Sequence, residues 1–272
     1  MNQSLIPSNE QELAQCLADP EWRLSSLYSI MVKTRAPAEG EDPASVPDKK
    51  MPFKMNKAQR RFLARIWNRN VVLKARQVGI TTLICILWLD HALFVPDQRC
   101  GIVAQDDGAA KAIFRDKVKF AYDNLPPQVK RRFPLSKDAA DELLFKHNNS
   151  SVRVATSMRS GTLDRLHVSE MGKISAMYPI KAAEVISGSI PSVPDDGIVV
   201  VESTAEGREG PFFDMVDTAQ KAVAERLKLT IKDGNGATVP NGDGGYAGTR
   251  PKLGLKPKQP QNAAGMRTEP AP

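Results

Sequence analysis

The residues whose types and spacing invite chemistry lie in one stretch, Lys74-Ala75-Arg76-Gln77-Val78-Gly79-Ile80-Thr81-Thr82. Two cations, a glycine and paired hydroxyls on a short turn are the materials of a phosphate-binding loop. Backbone N–H groups and the positive end of a following helix face the anion, a cation neutralises it, and a hydroxyl reaches Mg²⁺. Against the pattern G-x-x-x-x-G-K-[ST], Gly79 and Thr81 match, whereas Lys74 stands at the first glycine and Ile80 at the lysine. A cation is still at hand, because Lys74 or Arg76 could swing one in from a few residues upstream. The plain alternative is an ordinary αβ turn carrying two solvated basic residues.

Three further positions bear on the same chemistry. Gln59 lies in the first turn of a helix upstream of the loop. Its amide has a donor and an acceptor, so it can pair with adenine N6 and N7 together; otherwise it is a surface glutamine on an amphipathic helix. Leu166-His167-Val168-Ser169-Glu170 reads as a strand ending in an acid. At the carboxyl edge of an α/β sheet, Glu170 would orient or deprotonate an attacking water, and Ser169 would bind Mg²⁺ directly or through its water shell. An aspartate at 169 would be the stronger metal partner, and an exposed acid capping a strand is the plain alternative. The run Ile198-Val199-Val200-Val201 ends in Glu202-Ser203-Thr204, a third polar strand end.

The elements that must carry these residues follow from periodicity. Val71, Val72 and Leu73 form a strand before the loop, and Leu83, Leu87 and Phe94 space a buried helix after it. Upstream, residues 8–33 read as one or two helices, with Ser8 and Gln11 as a capping box and Asp19-Pro20-Glu21 as a second start. Residues 34–50 read as a linker or exposed loop. Asn56 caps a helix containing Phe62, Leu63, Ile66 and Trp67. Downstream, Arg99–Ala104 is a strand, and Asp106 or Asp107 caps a helix whose Lys111, Arg115, Lys117 and Lys119 belong by default to a solvated face. Strands at 142–146 and 151–156 join across a turn. A helix near Ile180–Ile186 and a last one from Phe212 to about Glu225 complete the body. Alternating strands and helices with apolar runs indicate a parallel sheet covered on both faces, on which the strand ends after 73, 169 and 201 converge.

Bulk composition bounds the rest. The 272 residues suffice for one α/β domain plus tails. Of the formal charge of +7, five units come from residues 226–272, which hold eight Lys/Arg against three Asp/Glu. The body is close to neutral, so basicity alone does not mark a nucleic-acid face. Residues 233–272 contain eight glycines and six prolines and no periodicity, which reads as disorder. Cys16, Cys85 and Cys100 are too few and too scattered for a disulfide framework or a metal site, and they suit a reducing cytosol. No apolar run of eighteen and no export signal is present, so a soluble, unexported protein without a membrane is expected.

With Gln59, the loop KARQVGITT, SVRVATSMRSGTLDRLHVSEMGKI and VVVESTAEGREGPFFDM in this order, the sequence resembles the ATPase domain of a tailed-phage terminase large subunit, the DNA-packaging motor. The resemblance spans about residues 20–224. It implies an α/β P-loop NTPase fold of the ASCE type, with a central, mainly parallel sheet covered by helices on both faces. Residues 1–50 would be N-terminal helices and linker, 51–225 the ATPase domain, and 226–272 a disordered basic tail where relatives carry a nuclease. ATP and Mg²⁺ are the implied cofactors. Carried over position by position, Gln59 would sense adenine, and Lys74, Ala75, Arg76, Gln77, Val78, Gly79, Ile80, Thr81 and Thr82 would form the nucleotide loop. Thr81 and Ser169 would serve the metal, Glu170 and Arg76 catalysis, and Ser203 and Thr204 the coupling of hydrolysis to DNA movement.

The same resemblance implies double-stranded DNA, a portal and a small terminase subunit as partners, and a homo-oligomeric ring on the portal. Such a motor works in the bacterial host cytoplasm and is not expected in the mature virion. Without its nuclease the chain would be truncated, as in a defective prophage remnant. Two rivals are a helicase-like translocase, which would need a second motor domain, and an assembly remnant that has lost turnover. Arg159 or Arg208 could be a charge sensor.

Overall fold

The computed structural model describes residues 6–230 except 36, 37, 41, 43, 44 and 160, with side chains described as far as 222. The chain begins with α1 (Glu10–Ala18), α2 (Pro20–Ser26), and a hairpin of β1 (Ser29–Lys33) and β2 (Asp48–Pro52). Then come α3 (Lys57–Leu63), β3 (Arg69–Leu73), α4 (Ile80–Phe94), β4 (Arg99–Val103) and α5 (Asp107–Ile113). A π-helical turn, Phe114–Lys119, leads into the short α6 (Phe120–Asp123) and α7 (Pro127–Lys130). The remainder is β5 (Leu135–Asp138), β6 (Glu142–Phe145), β7 (Ser151–Ala155), β8 (Arg165–Ser169), α8 (Met171–Met177) and α9 (Pro179–Glu184). A second π-helical turn (Val185–Ser189), β9 (Ile198–Ser203) and α10 (Pro211–Thr230) end it.

Seven strands form one sheet in the order β3-β9-β8-β4-β7-β6-β5. The first five run parallel, while β6 and β5 are antiparallel additions at the far margin. The sheet is the expected α/β arrangement. The strand leading to Glu170 is separated from β3 by an additional strand, β9.

Burial explains the layering. Along β9, Ile198 and Val200 join one core with α4, while Val199 and Val201 join the other with Met171 and Ile174 of α8 and Phe212 of α10. Period-two alternation with both sets apolar is what a strand buried on two faces demands. Helix α4 is buried continuously from Leu83 to Leu93, because α1 and α2 cover the side that the sheet does not. Each fully buried leucine there contributes about 1.5–3 kcal/mol. Helices α1 and α2 and the turn after them therefore share the core of the sheet body through Leu13, Leu17, Leu24 and Leu27. Cys85 and Cys100 are buried, and burial pushes both thiols up to about 12.

Several expectations are corrected. The helix expected to run on toward residue 33 stops at Ser26, and Ser29–Lys33 is a strand paired with Asp48–Pro52. Ile66 and Trp67 lie beyond α3, which ends at Leu63. The short strand β5 and helix α8 were not expected. The last helix runs to Thr230, past Glu225. The expected tail from 231 to 272 lies outside the described residues.

Candidate functional site

The loop between β3 and α4 is held from below. The Lys74 N–H donates to the Ser203 carbonyl at 3.0 Å, extending the β3–β9 ladder by one bond into the loop. Gln77 and Gly79 take left-handed backbone, at φ 61° and 78°. Glycine is favoured at 79 by this left-handed backbone, and a Cβ there would stand 2.9 Å from Gln59 Nε2, which would have to shift. Helix α4 follows the N-cap Gly79 without a side-chain cap, so its first-turn N–H groups, which have no intrahelical acceptors, receive none from a capping side chain either. That bare N-terminus is the anion-facing end that the loop reading calls for.

Gln59 is placed as a brace of this loop. Asn56 and Gln59 form a capping box at the start of α3, with Gln59 Oε1 accepting the Asn56 N–H at 2.8 Å. Gln59 Nε2 donates to the Gly79 carbonyl at 2.7 Å, and Asn56 Nδ2 donates to that of Val78 at 3.0 Å. One lone pair of the amide oxygen and one amide N–H of Gln59 are left by these bonds, and the residue is 4% exposed.

The carboxylates meet one strand away. Lys74 Nζ lies 2.8 Å from Glu170 Oε1 and 3.0 Å from Glu202 Oε2, so a single cation bridges the ends of β8 and β9. Its approach to Glu202 Oε2 is an ion pair outside hydrogen-bond geometry. Glu202 is completely buried. Its Oε1 accepts from the Thr81 hydroxyl at 2.7 Å and from the Ser169 hydroxyl at 3.0 Å. His167 Nε2 stands 3.3 Å from the same oxygen. Burial first, and then the Lys74 charge, lower the His167 pKa to about 3, so the ring is neutral. Facing a carboxylate that can only accept, its proton is assigned to Nε2. Glu170 itself has φ 58° and ψ 46°, a left-handed conformation that costs a non-glycine residue on the order of 1 kcal/mol and concentrates at functional positions. Its Oε2 accepts a long bond, 3.4 Å, from Ser203.

Other expected site residues fall as follows. Ala75, Arg76 and Gln77 form the exposed crest of the loop, and Val78 is half-buried. Ile80 points into the core with 3% exposure, so the motif's lysine position supplies no cation. Thr82 accepts from Lys117 Nζ at 3.2 Å. Thr204 turns away to Glu206, while Arg159 pairs with Glu184. Lys74, Thr81, Ser169, Glu170 and Ser203 are therefore brought together; Arg76 and Thr204 are not in contact with them. Sequence reasoning missed Glu202, His167 and Lys117. The signal for Glu202 was present, since it ends a β-branched run as Glu170 follows the end of its own strand.

The donor set suits a nucleotide-borne divalent cation. Among the described residues no group of three or more His, Cys, Asp and Glu could hold a metal by itself. Mg²⁺ accompanying phosphates needs less, one or two protein oxygens beside phosphate and water, and the Thr81, Ser169 and Glu202 oxygens converge here.

With this geometry in view, similar solved structures can be weighed. The HK97 bacteriophage large terminase superposes with a TM-score of 0.52 at 16% identity, over 63% of this chain and 38% of that one. The fold likeness is to a phage terminase. The large terminase ATPase domain of Thermus phage P74-26 is matched over 66% of this chain and 90% of that domain, at 16% identity and a TM-score of 0.44. No family model and no curated protein matches the sequence. The chain spans well under half of the HK97 terminase, and at such identity the likeness is one of fold. Among the described residues no helix is long and apolar enough to cross a membrane.

Proposed function

We propose that this chain is the ATPase part of a phage or prophage terminase large subunit, which couples ATP hydrolysis to the movement of double-stranded DNA into a procapsid. The observation that carries the reading is the Lys74 bridge: one cation from the loop within 3.0 Å of carboxylates at two strand ends, beside the Thr81 hydroxyl at the bare start of α4. A triphosphate laid on the first-turn N–H groups of α4 would meet Lys74, with Arg76 on the exposed crest able to fold over it. Glu170, 30% exposed and held in place by Lys74, is the group able to orient or deprotonate the attacking water. Mg²⁺, where bound, neutralises charge on the phosphate oxygens. Ser203, bonded to Glu170 and continuous with β9, is the natural route by which a change at the carboxylate reaches the rest of the molecule, with Thr204 beside it.

The partners in this reading are double-stranded DNA, a portal, a small terminase subunit and further copies of this chain in a ring, the ring supplying a trans-acting arginine. The host cytoplasm is its setting. A helicase-like translocase and a non-hydrolysing assembly remnant gain no specific support, since the groups that turnover needs stand together. The test is ATP hydrolysis measured with and without double-stranded DNA, in the intact chain and in Glu170→Gln. The expected outcome is a fall in kcat of about 10²–10⁴-fold in the variant. Equal rates in the two proteins would return the chain to an assembly role.

A further inference from the structure

We infer that Glu202, on β9, is the carboxylate that serves the nucleotide's divalent cation, in the role for which the end of β8 offers only Ser169. The inference rests on the nucleotide-binding reading and adds to it a residue that the loop and strand motifs do not mark.

Register makes the substitution possible. Ser169 and Glu202 are direct neighbours in the parallel β8–β9 ladder, so a carboxylate lost from one strand end is replaced by the adjacent one, about 4.8 Å away. The glutamate's extra methylene lets Oε1 reach back to 3.0 Å from the Ser169 hydroxyl. The same oxygen lies 2.7 Å from the Thr81 hydroxyl, the group expected on the metal side of the loop.

Hydrogen-bond direction gives the arrangement its chemical sense. A carboxylate accepts, so both hydroxyls spend their protons on Glu202 and keep lone pairs for another partner. An oxygen whose proton is drawn toward a carboxylate is also the better donor to a cation, which is how outer-shell groups tune metal ligands. A purely structural role as counter-ion to Lys74 leaves two facts unexplained. Glu170 already lies 2.8 Å from that ammonium, so a partner for Lys74 is in place without Glu202. Glu202 Oε2 is also fully buried and takes no hydrogen bond among the described groups, its 3.0 Å approach to Lys74 being an ion pair, so it keeps acceptor capacity for a further positive charge.

The test is the affinity of a non-hydrolysable ATP analogue, measured by calorimetry in Mg²⁺ and in EDTA, with bound Mn²⁺ followed by electron paramagnetic resonance. Three proteins are compared: the intact chain, Glu202→Gln, and the double variant Ser169→Asp with Glu202→Gln. In the intact chain Mg²⁺ should tighten binding. In Glu202→Gln that gain should shrink about 10–100-fold, with the ternary Mn²⁺ signal weakened to match. Moving the carboxylate back to β8 in the double variant should restore most of the gain. A folded Glu202→Gln protein with the full Mg²⁺ gain overturns the assignment and leaves nucleotide binding intact. If Glu202→Gln does not fold, a folded double variant without any Mg²⁺ gain overturns it instead. An intact chain that binds no nucleotide in either buffer removes the phosphate-loop reading itself, and the inference with it.

Discussion

Helix α4 touches a buried charged cluster near each end, and the two are built differently. Near its C-terminal end, Asp90 accepts from Arg23 Nε at 2.9 Å and Nη2 at 2.8 Å, and from the Tyr28 hydroxyl at 2.7 Å. One carboxylate meets one guanidinium, both carboxylate oxygens are used, and burial together with Asp90 pushes the Tyr28 phenol well above its usual range. At the N-terminal end, Lys74 is shared by two carboxylates, Glu170 is held in left-handed backbone, and three hydroxyls point at carboxylate oxygens. The first cluster closes its charges and fastens α2 to the core. The second shares one ammonium between two carboxyl groups and keeps a strained residue, and it opens partly to solvent. A cluster that only fastens parts together has no reason to retain either.

The contrast can be broken by mutation. Asp90→Ala should cost about 3–5 kcal/mol in urea unfolding, since it strands a buried guanidinium, while nucleotide affinity of the folded protein stays within twofold. Lys74→Ala should act on binding as well. Analogue affinity of the folded protein should fall by the equivalent of about 1.5–3 kcal/mol, roughly 10–150-fold, on top of the stability lost by stranding buried Glu202. Unchanged analogue affinity in a folded Lys74→Ala protein would mean that the N-terminal cluster only fastens parts together.

pH offers a third comparison. His91, beside Asp90 at the closed end, has its pKa lowered to about 3, by burial first and then by the Arg165 charge. A folded-state value below the unfolded value of about 6.5 keeps the ring neutral in the fold. Its contribution is therefore complete above pH 6.5 and is lost as pH falls toward 3, at about 1.4 kcal/mol per pH unit. By pH 5 about 2 kcal/mol should be gone, and His91→Gln should remove that part of the slope in urea titrations run from pH 7 to 5. The smallest expected effect is Gly79→Ala. Left-handed backbone and the Cβ contact with Gln59 should cost about 1–2 kcal/mol, read as a lower Tm together with weaker analogue binding.

What the sequence made legible was local. The β-branched run of β9, the Asn56 cap, the Asp106 cap of α5 and the β6–β7 pair all follow from neighbours within a few residues. The loop and the two polar strand ends were visible for the same reason. Neighbourhood between strands was not. Nothing in residues 165–203 says that Ser169 will lie beside Glu202, so a missing carboxylate at 169 looked like a deficit. The helical reading of residues 8–33 ran past Ser26 because the pairing of Ser29–Lys33 with Asp48–Pro52 depends on a partner segment beyond the local window. Gln59 was readable as a helix-start residue, but its bond to the Gly79 carbonyl, twenty residues away in sequence, was not. Lys117 was given to a solvated face by a period of 3.6, and the π-helical turn at Phe114–Lys119 resets that period.

The placement of β3 has a mechanical consequence. Among the described residues it is bonded to a neighbour on one flank only, so the loop that would grip phosphate hangs from the margin of the sheet. Alternate amides of a marginal strand have no ladder partner, and such strands part from a sheet at lower free energy than central ones. The Lys74 side of the cleft can therefore yield while β8 and β9, clamped on both flanks, keep Glu170 and Glu202 fixed. Force delivered along the outer rim would change the distance between cation and carboxylate, which turns an edge strand of the sheet into its lever.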